Sequence, residues 1–198
     1  MSHPNNKVSS SSVDNQEIEL IVGNSSSNFS GVTSTMLQVT SLQKHMINLR
    51  IMGKHFVPDP SMTITFWEVA KMCRRPLSNG KWRIFHARRV DEMIQGVILK
   101  YVFRAKIKLV FSSAAQRKRS ASTVWLSNKM DAVIAMSNRS AKYLNKPPAK
   151  INLHGVQIDN YTPAENKQEA WQALGYGGKY GIGILGRVRE QKGVHLFV

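Results

Sequence analysis

Four stretches of this chain carry residue types that can hold an anion. Near its end, Gly186 opens a loop in which Arg187 and Lys192 stand five residues apart. An apolar run at 181–185 precedes the loop, and residues 193–198, GVHLFV, read as a helix start. A strand, a glycine turn and two cations where a helix begins make a place for a diphosphate. The first N–H groups of a helix point outward, and Arg and Lys add charge-assisted hydrogen bonds. On spacing alone, solvated loop cations remain the other reading of Arg187 and Lys192. In mid-chain, His86-Ala87-Arg88-Arg89 follows a short strand at 82–85. Ligands of open parallel sheets bind outside the carboxyl ends of the strands. Adjacent guanidinium groups there suit a phosphate or a carboxylate. His86 is either a hydrogen-bonded structural residue or a catalytic one. Asp91 and Glu92 begin the next helix at the end its dipole favours, and Glu92 joins His86 as a candidate catalytic group. A third stretch, the glycine loop from Asn28 through Gly31 to Thr33, and a fourth, Ser112-Ser113 leading to Arg117-Lys118-Arg119, also follow apolar runs.

The elements that must position these residues are legible in the same runs. Residues 17–22, EIELIV, read as a first strand ending at Gly23. Met36, Leu37, Val39, Leu42 and Met46 then recur at near-helical spacing. This strand, glycine loop and helix lack the full Gly-x-Gly-x-x-Gly fingerprint, so a dinucleotide site is unsupported. Further strands are expected at 48–52, 82–85, 106–111, 130–136 and 151–153, and helices from Asp91, from Ser137 through Leu144, and over 164–174. The segment 53–80 is punctuated by Pro58, Pro60 and Pro76 and reads as irregular, apart from Phe66, Trp67, Val69 and Met72, whose spacing allows a turn and a half of helix. Repeated strand and helix with buried-type runs predict a Rossmann-like parallel α/β domain over 16–160. A tail at 1–15, rich in Ser and Asn, reads as disordered, and 161–198 reads as a linker and the first elements of a second domain.

The net charge of +16 is unevenly placed: 14 of the 28 Lys and Arg fall between Lys71 and Arg119, against only Asp91 and Glu92. Such a basic stretch predicts a polyanionic partner, whether nucleic acid, an anionic membrane surface or a phosphorylated substrate. No helix-turn-helix, zinc-finger or aromatic single-strand-binding pattern supports nucleic acid. The single Cys73 excludes an internal disulfide and a Cys-based zinc site, and fits a reducing, cytoplasmic compartment. No run reaches the roughly 18 uncharged apolar residues that span a bilayer, and no export signal is evident.

The string GRVREQKG resembles the Gly-Arg…Lys-Gly motif that opens the second domain of glycosyltransferase family 4, retaining enzymes of the GT-B fold. IFHARRVDEMIQGV, LVFSSAAQRKRSAST and MDAVIAMSNRSAKYL, in that order, resemble the bacterial lipopolysaccharide core mannosyltransferases within that family, over about residue 17 to the end. The resemblance implies that Arg187 and Lys192 grip the donor diphosphate, and that the glycine loop at Gly31, with Asn28 and Thr33, approaches the donor phosphate or the acceptor. It further implies that Arg88, Arg89, Arg117 and Thr33 serve the acceptor. The donor implied is GDP-mannose and the acceptor the lipopolysaccharide inner core. No metal or other cofactor is implied. Protein bound peripherally to the cytoplasmic face of the inner membrane would seat acceptor or lipid on the basic stretch. Many family members carry a His after the strand that here ends in Ser112-Ser113, so the catalytic-His role does not transfer. HGVQIDNYTP at 154–163 resembles the family's link between domains, where His154 and Gly155 line the cleft or turn the chain. The family's Glu-x7-Glu motif would lie beyond Val198, so the chain is expected to be a fragment. The reading that needs no resemblance is a basic α/β module that binds polyanions without catalysis.

Overall fold

Short β-branched and apolar runs between Gly, Ser and Asn become the strands of one parallel sheet. The computed structural model describes residues 17–155, 162–175, 177–184, 188, 190 and 193–197. The tail expected at 1–15, Arg187 and Lys192 lie outside them. In chain order the elements are β1 (Leu20–Gly23), α1 (Gly31–Gln43), β2 (Leu49–Met52), β3 (Thr63–Ile64), α2 (Phe66–Met72) and β4 (Arg83–Ala87). There follow α3 (Val90–Val97) running into a π turn at Ile98–Val102, β5 (Ile107–Ser113), α4 (Ala121–Asn128), β6 (Ala132–Ala135), α5 (Asn138–Ala141) and β7 (Lys150–Ile151). The seven strands are parallel, in the order β3-β2-β1-β4-β5-β6-β7. This is the expected Rossmann-like α/β domain. It belongs to a compact unit that ends at Gly155, five residues before the expected boundary, with a smaller unit beyond it.

Alternation along the strands sends side chains to two faces. On one face, Leu20, Val22, Leu49 and Ile51 pack with Met36 and Leu37 of α1. On the other, Ile21, Phe85, Ala87, Ile107, Leu109 and Phe111 pack with Val69 of α2, Met93 of α3, Leu99 of the π turn and Leu126 of α4. β1 lies mid-sheet and is buried throughout, as a parallel strand covered on both sides must be. Of the described α-helices of the first unit only α1 packs in the first cluster, beside Met62 of a 3-10 turn at Pro60–Met62. On its face Ile84, Val110 and Ile134 therefore floor an open groove rather than a closed core. Cys73, the C-cap of α2, is fully buried, and burial raises its thiol pKa to about 11 against the opposing pull of Arg83.

Several expectations need correction. The segment 53–80 is not simply irregular: it holds β3 at the sheet edge, and the short helix allowed by Phe66, Trp67, Val69 and Met72 forms as α2, its N-terminus closed by a Thr65–Glu68 capping box. Helix α4 had no expectation at all. The helix expected through Leu144 ends at Ala141, and the one expected over 164–174 is α6 (Lys167–Ala173). The strand expected at 181–185 is not formed over its described residues 181–184, where Ile182 is 86% exposed. An apolar run becomes a parallel strand only beside another strand, and the second unit supplies none among its described residues. Its ordered features are α6, capped by Asn166, the Trp171 Nε1–H donated to the Gly178 carbonyl, and a 3-10 turn at Val194–Leu196.

The basic stretch from Lys71 to Arg119 is not one face. Arg83 begins β4 and Ala87 ends it, roughly 13 Å apart at 3.3 Å per residue. Arg88, Arg89 and the 117–119 cations lie beyond the carboxyl ends of β4 and β5. The other nine, from Lys71 to Lys108, lie on the side of the strand starts.

Gly53 carries φ +125°, and a Cβ there would stand 2.1 Å from the Asn24 carbonyl oxygen. Asn24 in turn donates to the Met52 and His55 carbonyls, so this approach joins the loop after β1 to the loop after β2. Gly53→Ala is expected to destabilise the fold by about 2 kcal/mol or more, read as a lower urea midpoint. An unchanged midpoint would show the approach to be dispensable.

Candidate functional site

β1 feeds its chain towards β2 on one side, while β4 lies against its other edge. The crevice between the carboxyl ends of β1 and β4 is therefore the point where the strand order reverses, where open α/β sheets bind their ligands. Two loops meet there, the one after β1 and the one after β4. Arg89 donates from Nη2 to Ser30 Oγ at 2.8 Å and to Thr33 Oγ1 at 3.0 Å, across 59 and 56 residues of sequence. Arg88 donates from Nη2 to the Gly23 carbonyl at 3.3 Å. Ser30 caps α1, accepting from the Thr33 N–H. Gly31 is the first residue of α1, and a Cβ there would meet open space.

Glu92 organises the β4 loop. Its side chain is buried, and Oε2 accepts the backbone N–H of Arg88 at 2.7 Å and of Arg89 at 3.2 Å. Oε1 lies 3.8 Å from Arg89 Nε and 3.5 Å from the Ser25 hydroxyl, which also donates to Asp91. A Cβ on Gly23 would sit 3.0 Å from Glu92 Cδ, so a larger residue at the strand end would crowd the carboxylate. Engaged in this way, Glu92 fixes the backbone of the loop after β4. Burial lowers the Arg88 pKa to about 10 although Glu92 pulls it up, so the guanidinium stays charged at neutral pH. Its Nε is buried with no hydrogen-bond partner among the described residues, as is the Nε of Arg119.

The groove on the α1 face continues from this crevice, with a volume of about 420 Å³. His86, Arg88, Ser112, Asn152 and His154 line its polar end, so His154 faces a cleft rather than only turning the chain. His86 Nε2 and Ser112 Oγ are 2.8 Å apart. Burial first, and the Arg88 cation second, hold the imidazole pKa down at about 4, so it is neutral at pH 7.

The structure brings Arg88, Arg89, Thr33, Gly31, His86 and Glu92 to one place. It does not bring Arg117 there: that residue is exposed, whereas Arg119 donates to Ser113 Oγ and stacks over Phe111 at 5.2 Å. Three consecutive cations gave the sequence no means of choosing between them. Asn28 is exposed and takes part in a local turn with Ser26. Asn24 and Ser112, buried at the mouth, carried no spacing signal. Among the described residues no three His, Cys, Asp or Glu gather as metal ligands, and no helix is long and apolar enough to cross a membrane.

Comparison with known proteins gives this crevice a context. The chain is 38% identical over 187 residues to the lipopolysaccharide core biosynthesis mannosyltransferase LpcC of Rhizobium leguminosarum bv. viciae, covering 93% of this chain and 52% of that protein. It is 37% identical over 188 residues to the lipopolysaccharide core biosynthesis mannosyltransferase LpsB of Rhizobium meliloti (strain 1021), covering 94% and 53%. The chain is similar to both of these lipopolysaccharide core mannosyltransferases. It spans about half the length of these curated relatives. Among solved structures, Anabaena Alr3699/HepE in complex with UDP-glucose matches 79% of this chain and 49% of its own, with a TM-score of 0.50 at 16% identity. That likeness shows the GT-B glycosyltransferase fold. No family model matches the chain.

Two outcomes are expected when the crevice is altered. Glu92→Gln removes the anion between two guanidinium groups and is expected to cost about 2–3 kcal/mol of stability in urea unfolding at neutral pH, as loss of a charged, buried acceptor does. For His86, the unfolded chain binds a proton below pH 6.5 that the folded chain refuses until about pH 4. Stability is therefore lost as the pH falls through that window, by up to about 3 kcal/mol. His86→Gln should flatten that part of the profile of urea midpoint against pH; an unchanged slope would assign it to other groups.

Proposed function

We propose that this chain forms the acceptor-side half of a retaining mannosyltransferase that moves mannose from GDP-mannose to the lipopolysaccharide inner core. The observation that supports it is the identity of 37–38% over 93–94% of the chain to two proteins named as lipopolysaccharide core mannosyltransferases. The crevice is consistent with that chemistry. An acceptor carrying phosphate and acidic sugars needs fixed cations, and Arg88 and Arg89 are held by hydrogen bonds before any ligand arrives. Preorganised charge of this kind does not reorganise during reaction, which is where enzymes gain most. The unpartnered Arg88 Nε is free to donate to such a ligand.

In this reading Arg187 and Lys192 steady the departing GDP, and the neutral His86–Ser112 pair lines the acceptor side of the site. A sugar nucleotide as donor accords with the UDP-glucose bound to the Anabaena neighbour. The reaction would take place on the cytoplasmic face of the inner membrane.

The test is transfer of labelled mannose from GDP-mannose to core-truncated lipopolysaccharide by the full-length protein. Arg89→Ala is expected to raise the acceptor KM about tenfold or more, while Arg187→Ala and Lys192→Ala raise the Kd for GDP-mannose by a similar factor. Binding that is indifferent to the sugar nucleotide, and that weakens steeply with salt for DNA and heparin alike, would favour the polyanion module instead.

A further inference from the structure

Among the described residues, two that are not glycine hold a positive φ, and one of them, Phe56 at +62°, lies in the loop after β2. A bulky residue in the left-handed region is strained, so its surroundings must hold it there. Those surroundings come from the loop after β1. The Asn24 N–H donates to the Met52 carbonyl, and Asn24 Nδ2 donates to the His55 carbonyl at 2.8 Å, directly before Phe56. Asn24 is itself buried, and Gly53 turns the chain against it. The residue held by this clamp carries its ring at the surface: Phe56 is 44% exposed. Phe29, from the loop after β1, meets that ring edge-on at 82°, with centroids 5.3 Å apart. Core packing does not account for the strain, because the ring it orients stays nearly half in water.

The ring stands on the β2 side of the crevice. Phe29 directly precedes Ser30, whose hydroxyl accepts from Arg89 Nη2 at 2.8 Å. The face of an aromatic ring is rich in negative charge, and the C–H groups of a pyranose carry a small positive one, so a sugar ring lies flat on a phenyl ring with its hydroxyls left to polar partners. Fixed cations alone bind any polyanion. Cations beside a ring face select a glycan that also bears phosphate or carboxylate. We infer that Phe56, buttressed by Phe29, is the stacking surface for a pyranose ring of an anionic oligosaccharide whose charged groups rest on Arg88 and Arg89. The assignment rests on the acceptor-side reading proposed above and gives that site a means of choosing sugar over other polyanions. A nucleobase also stacks on a phenyl ring. The glycan is favoured by place, since Phe56, Arg88 and Arg89 share the first unit, whereas Arg187 and Lys192 lie in the sequence beyond Gly155.

The experiment is calorimetric titration of the 198-residue chain with the water-soluble oligosaccharide released from core-truncated lipopolysaccharide by complete deacylation. Phe56→Gly removes the ring at a position where glycine adopts the native φ without strain, so the loop keeps its course and the urea midpoint is expected to hold. Its Kd is expected to rise about tenfold, at low and high salt alike, because stacking is not screened. Phe56→Trp should restore affinity. Arg89→Ala, by contrast, should show a loss that shrinks as salt rises. An unchanged Kd in Phe56→Gly would overturn the inference, as would no binding by the unaltered chain. Equal loss in Phe56→Gly and Phe56→Trp would also overturn it, by showing that native packing and not a ring face is required. So would a Kd that rises for GDP-mannose and not for the oligosaccharide, which would assign the ring to a base. The titration contains no donor, so failure of mannosyl transfer leaves a Phe56-dependent Kd standing. A Kd indifferent to Phe56 leaves the transferase reading standing.

Discussion

A buried carboxylate, that of Glu92, closes the space between β1 and β4 by accepting the backbone N–H groups of both Arg88 and Arg89. Adjacent guanidinium groups repel each other, and burial raises the cost of charging each one. One anion at hydrogen-bonding distance from the backbone that carries them makes the arrangement tolerable. It also fixes the direction in which the two side chains leave the chain: Arg88 towards the Gly23 carbonyl, Arg89 towards Ser30 and Thr33. The geometry of the crevice is thus set from below, by a residue that need not touch a ligand.

The parallel sheet converts that local arrangement into a division of labour. Because every strand runs the same way, all strand ends share one edge and all strand starts the other. Charge that is continuous in sequence is thereby separated in space. Arg88 and Arg89, after β4, join polar partners in a crevice, while Lys106 and Lys108, at the start of β5, lie over the exposed Trp82 ring. A sequence window sees one basic stretch where the fold makes two surfaces of different character.

Much of the framework was legible because its causes are local. β1, β2, β4, β5 and β6 are apolar runs ending at turn residues, and their burial follows from their place in the middle of the sheet. α4 escaped because ASTVWLSN has no apolar stripe; it is helical because Leu126 reaches the core and Ser120 caps it. β3 is two residues at an edge, paired only with β2. The run at 181–184 looked like a strand by the same criteria that succeeded elsewhere, and the missing cause was a neighbour. At the site, the strand-end position of Arg88 and Arg89 was visible. Their partners more than fifty residues away were not, and only the Phe111 ring and Ser113 single out Arg119 from the cations beside it.

The lone cysteine gives this molecule an internal clock. Cys73 closes α2 with its carbonyl accepting the Lys106 N–H, so its sulfur lies at the seam where that helix meets the lead-in to β5. A thiol both buried and disinclined to ionise reacts with an added alkylating reagent only while that seam is open. The rate of its modification therefore counts openings of one defined part of the fold, with no second thiol to confuse the count.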